Sequence, residues 1–200
     1  MRHRVATELI LIRHAPALAG GRLCGRSDVA ADCGDGRRIA ALGAALGRPA
    51  RVVTSPALRC RQTAAALWPG LATTEDAALW EQDFGEWEGR ALADLPDLGT
   101  LPAAALADHR PPGGESFADL CARVQPALVR LADGAGPVAI VAHAGTVRAG
   151  LALALGASAP ALAFAVAPLS ATRISALPAG DRSGDQPVGW SIGAVNWTPA

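Results

Sequence analysis

The chain has 200 residues, half of them apolar, with 18 basic and 18 acidic side chains and a formal net charge of zero. That is the size of one domain with a real core, and it leaves no basic surplus for a nucleic-acid surface. Every one of the 18 basic residues is Arg, which excludes a P-loop lysine, a Schiff-base lysine and a lysine general base.

In chain order, residues 8–12 read as a buried strand, because Leu9-Ile10-Leu11-Ile12 is a continuous apolar run. The basic residues before it run straight into this strand, which is too short for a signal-peptide core. A Gly-rich loop follows over 15–35. Residues 37–46 have helical spacing, with Ile39, Leu42 and Leu46 on one side. Residues 51–54 form a short strand, and Ser55-Pro56 opens a helix to about Leu67, with Ser as N-cap and Pro in the first turn. A short strand is expected at 77–80, then a polar loop over 81–89. The Ala- and Pro-rich stretch 90–112 reads as an insertion of short helical pieces near the site. A helix is expected over 115–131, a strand at 138–142 and a helix from 145 to 155. Late strands follow at 162–166, 171–177 and 189–192, with a polar turn at 178–187. Strands alternating with helices imply an α/β sandwich with a mostly parallel sheet, as a single domain over 1–200.

Cys24, Cys33, Cys60 and Cys121 are scattered, without zinc-type spacing, and read as reduced thiols. No apolar stretch is long enough to span a bilayer. A soluble, cytoplasmic protein with no membrane or nucleic-acid partner is expected.

Two apolar runs end in histidine. Arg13-His14 follows the first and His143 follows the run at 138–142. Open α/β sheets carry functional groups at the carboxyl ends of their strands, so two imidazoles should converge on one site. Arg59 lies in the first turns of the helix opened by Ser55-Pro56. Helix N-termini and guanidinium forks both suit phosphate oxygens. Singly, each Arg reads as a surface ion pair and each His as a satisfied structural residue. Together they suit a phosphoryl group.

Five ordered segments carry a resemblance: Leu11-Ile12-Arg13-His14-Ala15; Ser55 to Ala64; Leu79 to Gly89; Pro112-Gly113-Gly114-Glu115-Ser116-Phe117; and Val141 to Arg148. In that order they resemble the signature of the histidine phosphatase superfamily, the phosphoglycerate-mutase-like proteins. The resemblance implies a three-layer α/β/α sandwich and a metal-independent, cofactor-free phosphomonoesterase acting on a small phosphorylated metabolite. By it, His14 is the nucleophile that forms a phosphohistidine. Arg13, Arg59 and His143 bind the non-bridging oxygens. Glu81 is the proton donor and acceptor. Cys24, Gly25 and Ala144 contribute backbone contacts near the phosphate. Asp83, Glu86 and Glu88 compete for the acid role but read as a solvated acidic loop.

Ala15 and Ala144 stand where the family usually has Gly, and Ala17 and Gly20 where Thr and Asn are often found. Ala restricts positive φ, but the changes are small and activity is expected to survive them. The insertion carries only Arg90, His109 and Arg110 as basic groups, which favours a substrate with a less charged body over a mutase substrate. The segments 23–28 and 84–89 look most like the α-ribazole phosphatase branch of cobalamin biosynthesis, so α-ribazole 5′-phosphate is one candidate substrate. Phosphoglycerate-mutase-type transfer and a non-catalytic phosphoryl-binding protein are the alternatives. A dinucleotide-binding module is disfavoured, since its Gly-rich fingerprint is missing after the first strand. A homodimer is a candidate assembly. Trp68, Trp80 and Trp87 read equally well as cleft lining or as packing under loops.

Overall fold

The computed structural model describes residues 7–133, 136–177 and 189–199. The apolar run near the N-terminus forms β1 (Thr7–Arg13), which pairs in parallel with β4 (Val138–Ala142) and antiparallel with β5 (Ala171–Leu177). β2 (Arg51–Thr54) joins β4 in parallel, β3 (Thr74–Glu75) joins β2 in parallel, and β6 (Gly189–Trp197) pairs antiparallel with β5. The strand order is β3-β2-β4-β1-β5-β6. β5 alone runs against the others, so the sheet is mixed and mostly parallel. β1 and β4 are apolar throughout their centres because both of their faces are covered.

Successive side chains of a strand point to opposite faces, and the core divides accordingly. Ile10, Ile12, Val52 and Val141 pack beneath α1 (Gly36–Leu46) and α2 (Leu58–Leu67). Leu9, Leu11, Val53 and Ile140 pack beneath α3 (Ala103–Asp108), α4 (Phe117–Leu131) and α5 (Ala144–Leu155). This is the expected three-layer sandwich. α4 starts at a reciprocal cap: Ser116 Oγ accepts from the Asp119 N–H at 3.1 Å, and the Asp119 carboxylate accepts from the Ser116 N–H at 2.8 Å. α1 and α5 follow β1 and β4 on opposite faces of the sheet. Between adjacent strands whose connections diverge in this way, a crevice opens at the carboxyl ends.

Three local expectations need correction. Residues 77–80 are not a strand. Ala77–Leu79 is a 3-10 turn capped by Asp76, whose Oδ1 accepts from the Ala78 N–H at 2.9 Å, and the strand lies just before it as β3. The late strand expected at 162–166 is absent: 162–163 end a 3-10 helix, Ala159–Ala163, with Pro160 in its first turn, and 164–166 lie in no regular element. The continuous apolar run over 161–166 imitates a buried strand, but Pro favours a helical start. The helix after β2 begins at Leu58, with Ala57 rather than Ser55 at the cap position. The Asp28 carboxylate accepts from the Leu58 N–H at 2.7 Å and takes over the capping task.

The 90–112 stretch holds short helical pieces as expected, a 3-10 turn at Leu92–Asp94 and α3. Backbone bonds from Leu23 N–H to Arg90 O (2.9 Å) and from Leu92 N–H to Gly21 O (3.0 Å) tie it to the loop after β1. The turn expected at 178–187 lies outside the described residues. Among the described residues no helix is long and apolar enough to cross a membrane.

Candidate active site

β1 delivers His14 to the crevice, where its N–H donates to Ala142 O of β4 at 2.9 Å. The ring Nδ1 lies 2.6 Å from Ala15 O. A carbonyl only accepts, so Nδ1 carries the proton and Nε2 keeps its lone pair. Arg59 Nε donates to that Nε2 at 3.3 Å. His14 is nearly buried, and burial, followed by the charges of Arg59 and Arg13, pushes its pKa down to about 4 against the opposing pull of the Ala15 carbonyl. At neutral pH the ring is uncharged and nucleophilic.

His143 ends β4 and is fully buried. Arg59 Nη2, which can only donate, lies 3.2 Å from its Nδ1, so Nε2 carries the proton and donates to Ser55 Oγ at 2.8 Å. Burial, then the Arg59 charge, holds its pKa well below the usual histidine value. The two imidazoles meet edge to face with centroids 5.2 Å apart.

Arg59, in the first turn of α2, has no exposed surface. Its remaining donors go to Ser27 O (2.9 Å) and Gly25 O (2.7 Å). These are carbonyls, not carboxylates, so its charge is left for an anion. Arg13 donates through Nη1 to Val166 O, while its Nε is buried without a hydrogen-bond partner among the described residues. An orphaned buried donor beside a neutral nucleophile is the arrangement an oxyanion would complete.

Glu81 reaches the N-terminus of α5. Its Oε2 accepts from the Gly145 N–H at 3.2 Å and its Oε1 from the Gln82 N–H at 3.0 Å. A methyl group added to Gly145 would stand 2.1 Å from Oε1, so only Gly allows this approach. The backbone behind Glu81 is held by Arg123 of α4, which donates to the carbonyls of Ala78 (2.7 Å), Trp80 (3.1 Å) and Glu81 (3.3 Å). Arg123 is fixed in turn by a two-point pair with Glu115 at 3.0 and 2.8 Å.

The acidic loop is not uniformly solvated. Glu86 is exposed, and Asp83 caps the Gly85 N–H at 2.8 Å. Glu88 is an anchor: its carboxylate accepts from the N–H groups of Gly25, Arg26, Ser27 and Phe84 and from Ser27 Oγ. Partial burial opposes its charge, yet the bonds from Ser27, Arg26 and Gly25 outweigh it and hold the pKa below the usual carboxylate range.

Gly25 therefore spends its N–H on Glu88 rather than offering it to the site, while its carbonyl holds Arg59. The neighbouring Cys24 is half-buried, and burial raises its thiol pKa. Ala144 is the first residue of α5, directly after His143. Ala15 is fully buried and its N–H donates to Thr63 Oγ1 at 2.9 Å. Neither alanine has positive φ, so the strain expected where Gly is usual does not arise.

The tryptophans separate. Trp80 lies parallel to His143 with centroids 6.4 Å apart, Trp87 stacks on His109 at 5.5 Å, and Trp68 is buried with Nε1 donating to Gly47 O at 2.8 Å. Ser55, Thr63, Glu88, Glu115 and Arg123 are the functional residues that local sequence reading does not single out in these roles. Among the described residues no group of three or more His, Cys, Asp or Glu is arranged to hold a metal ion.

Residues 9–183 match the model of the histidine phosphatase superfamily, branch 1. A bifunctional protein of Mycobacterium tuberculosis is 34% identical over 163 residues, which cover 76% of this chain and 45% of that protein. The chain thus spans about half the length of such relatives. A glucosyl-3-phosphoglycerate phosphatase of Mycolicibacterium vanbaalenii is 33% identical over 168 residues, 74% of each chain. A native mycobacterial glucosyl-3-phosphoglycerate phosphatase structure superposes with a TM-score of 0.79 at 27% identity, covering 96% of this chain and 99% of the other. An Escherichia coli structure solved as an α-ribazole-5′-P phosphatase candidate gives a TM-score of 0.77 at 21% identity over 96% and 97% of the two chains, a likeness of fold alone. With the match running through every segment that builds the crevice, this chain belongs to the histidine phosphatase superfamily, branch 1.

Proposed function

We propose that the protein is a metal-independent phosphomonoesterase that passes the phosphoryl group of a small metabolite first to His14 and then to water. The observation that carries this reading is the state of His14: a buried, neutral ring whose Nδ1 proton is committed to Ala15 O and whose Nε2 lone pair faces Arg59. When substrate arrives, the Arg59 Nε–H moves from Nε2 to a non-bridging oxygen and frees the lone pair. The Nε2–P bond forms as the ester P–O bond breaks, and Glu81 gives a proton to the departing oxygen. Arg13 and Arg59 hold the equatorial oxygens, where charge gathers in the transition state. His143 joins them through an Nδ1–H once Arg59 turns to the phosphoryl group and the ring takes its other tautomer, with Nε2 then accepting from the Ser55 hydroxyl. Glu81, now a carboxylate, takes a proton from water as that water attacks phosphorus. The P–N bond breaks and phosphate leaves with His14 neutral again.

On substrate, the curated relatives support a sugar-acid phosphate of the glucosyl-3-phosphoglycerate kind. α-Ribazole 5′-phosphate has a solved counterpart at the level of fold only, and it stays in the panel as the second candidate. The test is phosphate release with EDTA present, from p-nitrophenyl phosphate, 3-phosphoglycerate, glucosyl-3-phosphoglycerate and α-ribazole 5′-phosphate, for the parent and His14→Ala. Release that survives EDTA and vanishes in the variant is the expected result. Binding without turnover would favour a non-catalytic phosphoryl binder, and transfer to a phosphoglycerate acceptor in place of release would favour a mutase.

A further inference from the structure

We propose that Arg26 determines specificity, by binding a carboxylate carried on the leaving group of the phosphomonoester. This rests on the phosphatase reading above and names the substrate class of that same site.

Arg26 sits between Gly25 and Ser27, the two residues whose carbonyls hold Arg59, and its N–H is fixed on Glu88 at 2.8 Å. Its guanidinium carbon stands 5.8 Å from the centre of the Trp80 ring. Trp80 in turn lies parallel to His143 and directly precedes Glu81. Trp80 thus links Arg26 to the His143 side of the crevice, and on this proposal the leaving group's substituent runs over Trp80 toward Arg26.

Local charge leaves Arg26 in surplus. Among the described residues its one anionic contact is Glu115, through Nη2 at 3.4 Å. That carboxylate is already held at two points by Arg123, at 3.0 and 2.8 Å, and by the Asp83 N–H at 3.1 Å. Two guanidiniums thus share one carboxylate. Among the described residues Arg26 Nε has no hydrogen-bond partner, and although Nε is buried the side chain as a whole is 34% exposed. Arg13 and Arg59 already supply two cations for the phosphoryl group. A third, weakly engaged by Glu115 at 3.4 Å and partly exposed, fits a second anionic group, and a carboxylate suits a planar guanidinium in shape and charge. The few basic groups of the 90–112 insertion say nothing against this, because the cation comes from the loop after β1.

The experiment compares two substrates that differ only in that group, 3-phosphoglycerate and glycerol 3-phosphate. In the parent, kcat/KM is expected to favour the carboxylate by roughly 10- to 100-fold, the range of a charge-assisted pair. In Arg26→Gln the ratio should fall toward one, and in Arg26→Lys it should recover in part, since a point charge attracts without the fork. A residue that merely ties its loop to Glu115 would lower both substrates alike and leave the ratio intact; that result, or a parent with no preference, overturns the proposal. p-Nitrophenyl phosphate is assayed beside them. If the parent releases no phosphate from it, the phosphatase reading fails by itself. The same ratio is then taken from calorimetric affinities of the two compounds for parent and variants, with the same deciding outcomes.

Discussion

Replacing Gly145 by Ala tests whether Glu81 is the proton donor without touching Glu81. The new methyl carbon would lie 2.1 Å from Glu81 Oε1 and 2.6 Å from Leu120 Cδ2. The carboxylate must retreat by about 1 Å or more to regain ordinary contact, and it then gives up the Gly145 N–H that holds Oε2. A misplacement of about 1 Å can cost on the order of 100-fold, inside the 10²–10⁴-fold range of a general acid. The fold should survive. Ala at a helical position gains about 1 kcal/mol over Gly, and crowding Leu120 costs about 1–3 kcal/mol. The assay is kcat/KM on an alkyl phosphate and on p-nitrophenyl phosphate, with urea unfolding alongside. The alkyl ester, whose leaving alkoxide needs a proton, should lose roughly 100-fold, and the aryl ester, which leaves as a stable phenolate, less than about 10-fold. Equal losses on both would place Gly145 in phosphate binding or in folding. No loss on either would remove Glu81 from the acid role.

Glu88→Gln should cost about 2 kcal/mol of stability, because a charged acceptor for Gly25, Arg26 and Ser27 becomes a neutral one. It should also lower kcat/KM by releasing the carbonyls that hold Arg59; unchanged urea midpoints would contradict the anchor role. His14 takes up a proton near pH 6.5 when unfolded but only at about 4 when folded. The unfolded chain therefore binds more protons between those values, and stability falls as pH drops through that window and levels off below it. Against His14→Gln, the parent should lose an additional 2–3 kcal/mol or so between pH 7 and pH 4.5, and parallel pH curves for the two proteins would refute the shift. Ala15→Gly should leave turnover within about threefold and cost about 1 kcal/mol, since Ala15 is fully buried and its φ is not positive. A large gain on this change would show that the methyl group obstructs the phosphate.

What the sequence discloses about this site follows from how each contact is encoded. Arg13-His14 and His143 are legible because they end apolar runs, and the sheet order then makes β1 and β4 neighbours, which no local pattern shows. The helices α4 and α5 are legible from their spacing, and the three layers follow from their alternation with strands. The short 3-10 turns at 77–79 and 159–163 are not, because three to five apolar residues carry too little periodicity to separate a turn from a strand. The same limit hides the residues that aim the chemistry. Ser55 carries a strong local cap signal, yet its hydroxyl faces the ring of His143, 88 positions away, and Asp28 caps the helix in its place. Glu88 looks like one carboxylate among several in a polar loop until the 24–27 segment folds its amides onto it. Arg123 shows only as a residue of an amphipathic helix, and becomes the support of Glu81 once α4 lies beside the 78–81 carbonyls. Groups that react with substrate sit at strand ends and helix starts, where a motif can be short. Groups that position them are satisfied by backbone atoms far along the chain. A backbone carbonyl or amide has the same chemistry under any side chain, so such partners leave no mark in the sequence. The test of the reading therefore lies at Gly145, Glu88 and Arg123 as much as at His14.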